Sequence, residues 1–199
     1  MTITEVERKE DAPQEHTDDR MRALEARIAE LERERSHLVA IVDILQVMAA
    51  SPHFSEILQA IAHNLGRSFG LDRCSIFLSG DEQHVRVVAS YEDPRIRNLI
   101  VDLNRYPELK RAFDSGETVF IPDAASDPML QGVQVMLGLR NVRSIVVVPI
   151  RWHGTVIGAI FLRSERDAAP FSDRDLTFCQ VVASLTASAL RKEYERERV

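Results

Sequence analysis

The sequence predicts an α/β sandwich, in which a central sheet carries helices or ordered loops on both faces. Two β-branched runs, residues 144–150 and 155–162, are joined by a short connection that contains Gly154, which is typical of a hairpin. Both alternating faces of each run are mostly apolar, as in strands that are buried on both sides. The hairpin therefore lies in the middle of the sheet, and helical patterns elsewhere supply the covering layers.

Composition limits the protein to one domain with appendages. The 199 residues, 45% of them hydrophobic, can bury one ordinary core. The net charge is −6 and there is no basic block, so nucleic acid and anionic membranes are disfavoured as partners. Cys74 and Cys179 are too few for a disulfide framework and too far apart for a CxxC site. With no signal peptide and no apolar run of about 18 residues, we expect a cytoplasmic protein.

The N-terminal part predicts a dimerisation helix. Residues 1–17 are charged and contain Pro13, and we expect a disordered tail there. In residues 18–50 the spacing of three and four predicts a coiled coil. The seam consists of Met21, Leu24, Ile28, Leu31, Arg35, Leu38, Val42, Leu45 and Ala49. We expect a parallel homodimer, the alternative being a solvated helix that folds back on its own domain. Between residues 37 and 48 the apolar surface widens, so the helix should begin to contact the globular domain.

The next elements follow in order along the chain. Ser51-Pro52 predicts the N-cap and first position of a helix that ends before Gly70. Residues 73–79 and 85–91 predict a hairpin around the turn 80–83. One face of its second strand should carry Val85, Val87, Ala89 and Tyr91.

The second half of the chain alternates short elements with one long helix. We predict a strand at residues 99–103, a short helix from Pro107 to Gly116 and a strand at 118–121. Ser172-Asp-Arg-Asp resembles a capping box with Asp in place of Glu, and opens a helix to the end of the chain. Its last part, residues 191–199, is highly charged.

Residues 122–141 predict a loop with one or two helical turns. Gly132 and Gly138 alternate here with apolar residues that include Met129 and Met136. Such a segment suits a lid over a small-molecule pocket, although filling the second layer of the core is the commoner use of such residues.

Several short motifs in this order resemble the GAF domain family, over residues 51–190. They are Arg73-Cys-Ser-Ile-Phe-Leu, Tyr106-Pro-Glu-Leu, Ile121-Pro-Asp, Asp127-Pro, Arg143-Ser-Ile-Val-Val-Val-Pro-Ile, Gly154-Thr-Val-Ile-Gly-Ala-Ile and Phe171-Ser-Asp-Arg-Asp-Leu. The resemblance implies a six-stranded antiparallel sheet with helices on one face and a loop-covered ligand pocket on the other. It also implies a sensory or dimerising role in signalling.

The specialised functions known in the GAF family require residues that this sequence lacks. The Asn-Lys of cyclic-nucleotide-binding members is replaced by Arg163-Ser164. The sequence has no cysteine between Cys74 and Cys179 to which a bilin could be attached. The free methionine sulfoxide reductases use three cysteines, and this sequence has two. The histidines lie at helix starts, helix surfaces and turns, where they are usually solvated. We expect no cofactor, no metal and no catalytic site.

One further motif is a turn rather than a metal site. Ser79-Gly-Asp-Glu-Gln resembles the metal-binding signature of diguanylate cyclases. Asp81 and Glu82 fall in the turn of the first hairpin, where acidic residues are common.

Two functions stay open. The first is a non-catalytic, dimeric adaptor or regulatory module that contacts another signalling protein; the absence of kinase, cyclase and DNA-binding motifs favours it, and a longer native chain would reverse that preference. The alternative is a sensory module that transmits ligand binding through its terminal helices. Its ligand would lie between the sheet and residues 123–139. The predicted pocket residues are Phe77, Met129, Met136, Ser144 and Val146.

Overall fold

A computed structural model describes residues 11–51, 53–81, 83–133, 142–165 and 171–196. In this part of the chain four α-helices are present, at Asp11–Ala50 (α1), Phe54–Phe69 (α2), Pro107–Ser115 (α3) and Asp173–Arg196 (α4). The strands are Arg73–Ser79 (β1), His84–Ser90 (β2), Leu99–Asp102 (β3), Val119–Ile121 (β4), Ser144–Trp152 (β5) and Thr155–Ser164 (β6). Two 3₁₀ turns, Leu103–Arg105 and Pro128–Leu130, complete the described elements.

These six described strands form one antiparallel sheet in the order β3-β2-β1-β6-β5-β4. The predicted central hairpin is β5 and β6, and neither is an edge strand. A two-residue turn joins them, in which His153 and Gly154 have φ angles of 47° and 85°. Positive φ at both positions matches the right-handed twist of the strands. The predicted fold class is thus confirmed.

The chain divides after Val39 into two units, residues 1–39 and residues 40–199. Helix α1 begins at Asp11, seven residues before the predicted start at Asp18. Pro13 does not prevent this earlier start, because backbone N–H groups in the first helical turn have no intrahelical partner.

One face of the sheet, the helical face, is covered by α2, α4 and the last turns of α1. Ala40 and Ile44 of α1 are buried in its core, which confirms the contact predicted from the widened apolar surface. The strands contribute to this core Cys74, Ile76, Ala89, Val146, Val148, Ile150, Ile160 and Leu162. Burial of apolar side chains on this scale is the main stabilising term of a domain.

The opposite face, the loop face, is covered by α3 and the two 3₁₀ turns. Leu109 and Ala112 of α3 and Leu130 of the second turn are buried in its core. The strands contribute to this core Phe77, Val85, Val87, Val119, Ile121, Ile145, Val147, Ala159 and Phe161. The predicted loop with a helical turn is therefore present at residues 128–130, and residues 134–141 lie outside the described part.

The predicted helix ends are mostly correct. Gly70 and Gly116 have φ angles of 58° and 68°, the left-handed conformation expected after a helix. At the start of α4, the Ser172 backbone N–H donates to Asp175 Oδ2 at 2.8 Å, and the Asp175 N–H donates to Ser172 Oγ at 3.3 Å. This reciprocal pair is the predicted capping box.

The predicted start of α2 is wrong by two residues. Its N-cap is His53, not Ser51. The Ser51 hydroxyl instead accepts the His53 N–H and donates to the Glu56 carboxylate. Pro52 lies outside the described residues.

The predicted face of β2 is wrong beyond Val87. Val85 and Val87 belong to the loop-face core, whereas Ala89 belongs to the helical-face core and Tyr91 packs against it. The cause is a β-bulge, since Ile76 pairs with Ala89 and the next residue, Phe77, pairs with Val87. One extra residue in a strand reverses the side on which all later residues lie.

Candidate functional site

Of the predicted pocket residues that the structure describes, two lie on the loop face and two do not. Phe77 is buried in the loop-face core, and Met129 packs against that core. Val146 is buried in the helical-face core instead. Ser144 lies two residues before Val146 on β5, so alternation places it on the helical face as well. The assignment of Val146 and Ser144 to a loop-face pocket is therefore corrected, and Met136 lies outside the described residues.

Three strand residues on the loop face are fully buried. They are Ile145 and Val147 in β5 and Ala159 in β6, each 0% exposed. The residues that cover them, Leu109 and Leu130, are also 0% exposed. A side chain without accessible surface has no adjoining void that could hold even a water molecule. The loop face is packed at these positions.

A carboxylic acid is buried beside this packed layer. Glu108 lies in the first turn of α3 and is 1% exposed. Among the described residues, no hydrogen-bond partner contacts its Oε2. Burial raises the pKa of Glu108 to about 7, against the smaller lowering effect of its own backbone N–H. A buried carboxyl oxygen without a partner is unusual, and Glu108 is the described group on this face best suited to recognise a donor or to exchange a proton.

Sequence reasoning missed Glu108, although a signal was available. In α3 the residues 108, 109 and 112 share one helical face, and all three are buried. Since Leu109 and Ala112 mark the inward face in the sequence, the same spacing assigns Glu108 to it.

The two cysteines are structural. Both are free and buried, Cys74 on β1 and Cys179 on α4. Burial raises the pKa of each thiol well above its ordinary value. Because the thiolate is the reactive form, neither side chain is suited to nucleophilic chemistry.

The acidic turn of the first hairpin has a local role. Asp81 accepts hydrogen bonds from the backbone N–H groups of Gln83 and His84 at 2.9 and 2.8 Å. The bond from Gln83 contributes most to lowering the pKa of Asp81. Glu82 lies outside the described residues, and among the described residues no cluster of three or more His, Cys, Asp or Glu side chains could hold a metal ion.

The predicted coiled-coil seam contains exposed apolar residues in each of the two units. Its large apolar members in residues 1–39 are Met21, Leu24, Ile28, Leu31 and Leu38, each at least 47% exposed. In residues 40–199 they are Val42 and Leu45, which are 50% and 45% exposed. Scattered apolar residues are normal on a surface, but a stripe at heptad spacing is typical of an association surface. No helix in the described part of the chain has the length and apolar character needed to cross a membrane.

Comparisons with known proteins agree with this architecture. The family model "GAF domain" matches residues 53–190. The GAF domain of a phosphoenolpyruvate-protein phosphotransferase from Coxiella burnetii is similar over 83% of this chain and 98% of that chain, with 17% identity and a TM-score of 0.71. No curated protein matches the chain.

Two other similar structures belong to proteins with different activities. A free methionine-R-sulfoxide reductase from Neisseria meningitidis, in complex with its substrate, shares 21% identity over 78% of this chain and 87% of that chain, with a TM-score of 0.62. The chromophore-binding domain of a bacteriophytochrome from R. palustris shares 16% identity over 84% of this chain and 64% of that chain, with a TM-score of 0.65. At such identities the likeness extends to the fold alone.

Proposed function

Because the chain belongs to the GAF domain family, whose members are signalling and sensory modules, we propose that it is a non-catalytic, dimeric adaptor or regulatory module. It acts through protein–protein contacts, first with a second copy of itself and then with another signalling protein. The observation that carries the proposal is the contrast between a packed loop face and an unpartnered apolar stripe on α1.

The packed loop face supports an adaptor because a ligand needs space. Small-molecule pockets usually offer roughly 300 to 1,000 Å³. Ile145, Val147 and Ala159 leave no accessible surface at the centre of the face. A ligand could enter there only by displacing packed side chains, which costs stability.

The exposed stripe on α1 supports self-association through this helix. Heptad positions a and d are Met21, Leu24, Ile28 and Leu31, followed by Arg35 at a. Apolar side chains at these positions pack as knobs into holes of a facing helix, and a charged residue at one a position fixes the register at a cost in stability.

The test replaces one seam residue in the full chain. In Ile28→Glu, two buried isoleucines of the dimer are exchanged for charges. Since each isoleucine contributes about 1.5 to 3 kcal/mol, we expect the dissociation constant to rise roughly 100-fold or more. Light scattering coupled to size exclusion should show the wild type as a dimer and the variant as a monomer. Removing residues 1–50 is a poorer test, because Ala40 and Ile44 belong to the core.

Ala29→Glu is the matched control. Ala29 is exposed and neighbours Ile28, but it lies off the seam, so the dimer should persist. The proposal fails if the wild type is monomeric at micromolar concentration, or if both variants dissociate equally.

A second candidate function, a ligand-responsive sensor, is favoured by Glu108. A buried carboxyl group with a free Oε2 is a group that a ligand carrying an N–H or O–H donor could satisfy. Native mass spectrometry of the purified full-length protein distinguishes the two functions. A retained small molecule that Glu108→Gln loses would support the sensor, and an unliganded mass for both proteins supports the adaptor.

A further inference from the structure

One flank of the apolar seam on α1 is acidic. Successive e positions of its heptad repeat carry a carboxylate side chain, at Asp18, Glu25 and Glu32. All three residues are exposed and lie in the unit formed by residues 1–39. Position e borders the seam, so these carboxylates face the flank of any helix that packs on it.

The other flank is basic over the same turns. Position g is Arg20 in one heptad and Arg27 in the next, and both residues are exposed. Arg27 already pairs with Glu30, three residues further along its own helix. An exposed ion pair of this kind contributes little to stability, and a guanidinium group has donors for a second carboxylate. Both arginines can therefore bind carboxylates of a neighbouring helix.

A parallel pair of α1 helices brings these flanks together with opposite signs. In a parallel coiled coil, position g of one helix lies beside position e of the next heptad in the partner helix, five residues further along. Arg20 then faces the partner's Glu25, and Arg27 faces the partner's Glu32. Two-fold symmetry repeats both contacts on the other side of the seam.

An antiparallel pair would bring like charges together. In that orientation position e faces position e, and Asp18, Glu25 and Glu32 would oppose one another in every register because the whole column is acidic. Position g would face position g, where Arg27 could contact Glu34 in one register only. That contact could at most offset the repulsion between the acidic columns, since like and opposite charges at these distances have similar energies.

We propose that these charges select a parallel, in-register pairing of α1 with a second copy of this chain and disfavour the antiparallel pairing. Arg35 at position a sets the register, because the seam contains one charged layer when the two copies of Arg35 share it and two when they are offset. The proposal rests on the proposed function, self-association through α1, and adds to it the orientation of the helices and the partner that their charges fit.

Disulfide cross-linking in the full chain tests the orientation. In Met21→Cys, the new thiol at the start of the seam lies beside its counterpart in a parallel pair, near the roughly 4 Å between Cβ atoms that a disulfide needs. In an antiparallel pair that overlaps over residues 21–38, the two thiols are about 25 Å apart along the helix axis. The native Cys74 and Cys179 are free but buried, so their background reaction is slow.

Ala23→Cys is the matched control for cross-linking, because Ala23 is exposed and lies off the seam, two residues from Met21. With oxidised glutathione as the oxidant, Met21→Cys should form a covalent dimer roughly 10-fold faster than Ala23→Cys or more. Non-reducing gel electrophoresis measures both rates.

Charge reversal tests the electrostatic selection. Glu25→Arg places an arginine opposite the partner's Arg20 in a parallel pair, so the dissociation constant should rise roughly 3- to 30-fold at low salt. The double variant with Arg20→Glu and Glu25→Arg restores the opposite charges and should return the constant to within about 3-fold of wild type. Asp19→Arg is the control, because Asp19 is an exposed acid at position f, which faces away from the partner in either orientation.

The outcomes distinguish this proposal from the proposed function. A wild type that is monomeric at micromolar concentration would overturn both. A dimer in which Met21→Cys cross-links no faster than Ala23→Cys would overturn the orientation alone. The same holds for a tighter dimer of Glu25→Arg, since this substitution relieves repulsion between acidic columns in an antiparallel pair. An unchanged dissociation constant in Glu25→Arg, or equal weakening by Asp19→Arg, would show that the charges do not select the pairing.

Discussion

The two faces of the sheet are built from the same strands but differ in what they bury. On the helical face, the residues from β1, β5 and β6 are aliphatic or thiol side chains, such as Cys74 and Val146. On the loop face the same strands contribute Phe77 and Val147, and α3, which covers this face, carries the buried carboxyl group of Glu108. Apolar packing is the main stabilising term of the first face. On the second face no described residue contacts Glu108 Oε2, and burying such an atom costs free energy. A carboxyl group with a raised pKa is a candidate for a functional role.

The largest expected effect compares tryptophan insertions on the two faces. Val146→Trp and Val147→Trp change neighbouring residues that are both 0% exposed but belong to opposite cores. If both faces are packed, each substitution should lower the free energy of unfolding by roughly 3 kcal/mol or more. Urea unfolding measures both.

We expect the two tryptophan variants to lose similar amounts of unfolding free energy. A Val147→Trp protein within about 0.5 kcal/mol of wild type, beside a strongly destabilised Val146→Trp, would instead reveal space on the loop face. It would favour the sensor function.

The next largest effect is the pH dependence of the free energy of unfolding that is caused by Glu108 on the loop-face side. With its folded pKa raised to about 7, above the ordinary carboxyl value, the folded state binds more protons than the unfolded state. The stability that Glu108 contributes is therefore fully present below about pH 4 and is lost as the pH rises to about 7. The shift corresponds to a loss of about 3 kcal/mol at pH 8 relative to pH 4.

Thermal melting of Glu108→Gln between pH 4 and pH 8 isolates this contribution. The variant should lack that part of the decline, while Glu117→Gln, at an exposed glutamate of the following turn, should melt like wild type at every pH. An identical decline in Glu108→Gln and wild type would show that the carboxyl group is already ionised or partnered in the folded protein.

The smallest expected effect concerns the helical face, through the cap of α4. Ser172→Ala removes both hydroxyl hydrogen bonds to Asp175 and should lower the free energy of unfolding by about 1 kcal/mol. The exposed Ser184 in the middle of α4 is the control, since Ser184→Ala should be neutral or slightly stabilising. A neutral Ser172→Ala would mean that water replaces the cap.

Much of the fold could be predicted because its signals are local. The β-branched runs around Gly154, the caps at Gly70 and Gly116 and the box at Ser172 each depend on a few neighbouring residues. The faces of β5 could not be predicted, because both are apolar and alternation then carries no information. The bulge after Ile76 leaves no sequence mark either, since a single extra valine looks like one more strand residue.

The candidate sites were harder to predict than the fold. Glu108 required helical spacing to be applied to a charged residue that usually lies in solvent. The apolar residues of α1, by contrast, follow a one-dimensional repeat in residues 21–49, so their shared face could be predicted from spacing alone.

The last turns of helix α1 have one buried side and one exposed side. Ala40 and Ile44 are buried in the helical-face core, while Val42 and Leu45 on the same turns are exposed. Because these side chains share one helical segment, a shift in the packing of Ala40 and Ile44 would turn Val42 and Leu45 about the helix axis as well. The last turns of α1 therefore couple the packing of the helical-face core to the position of an exposed apolar surface.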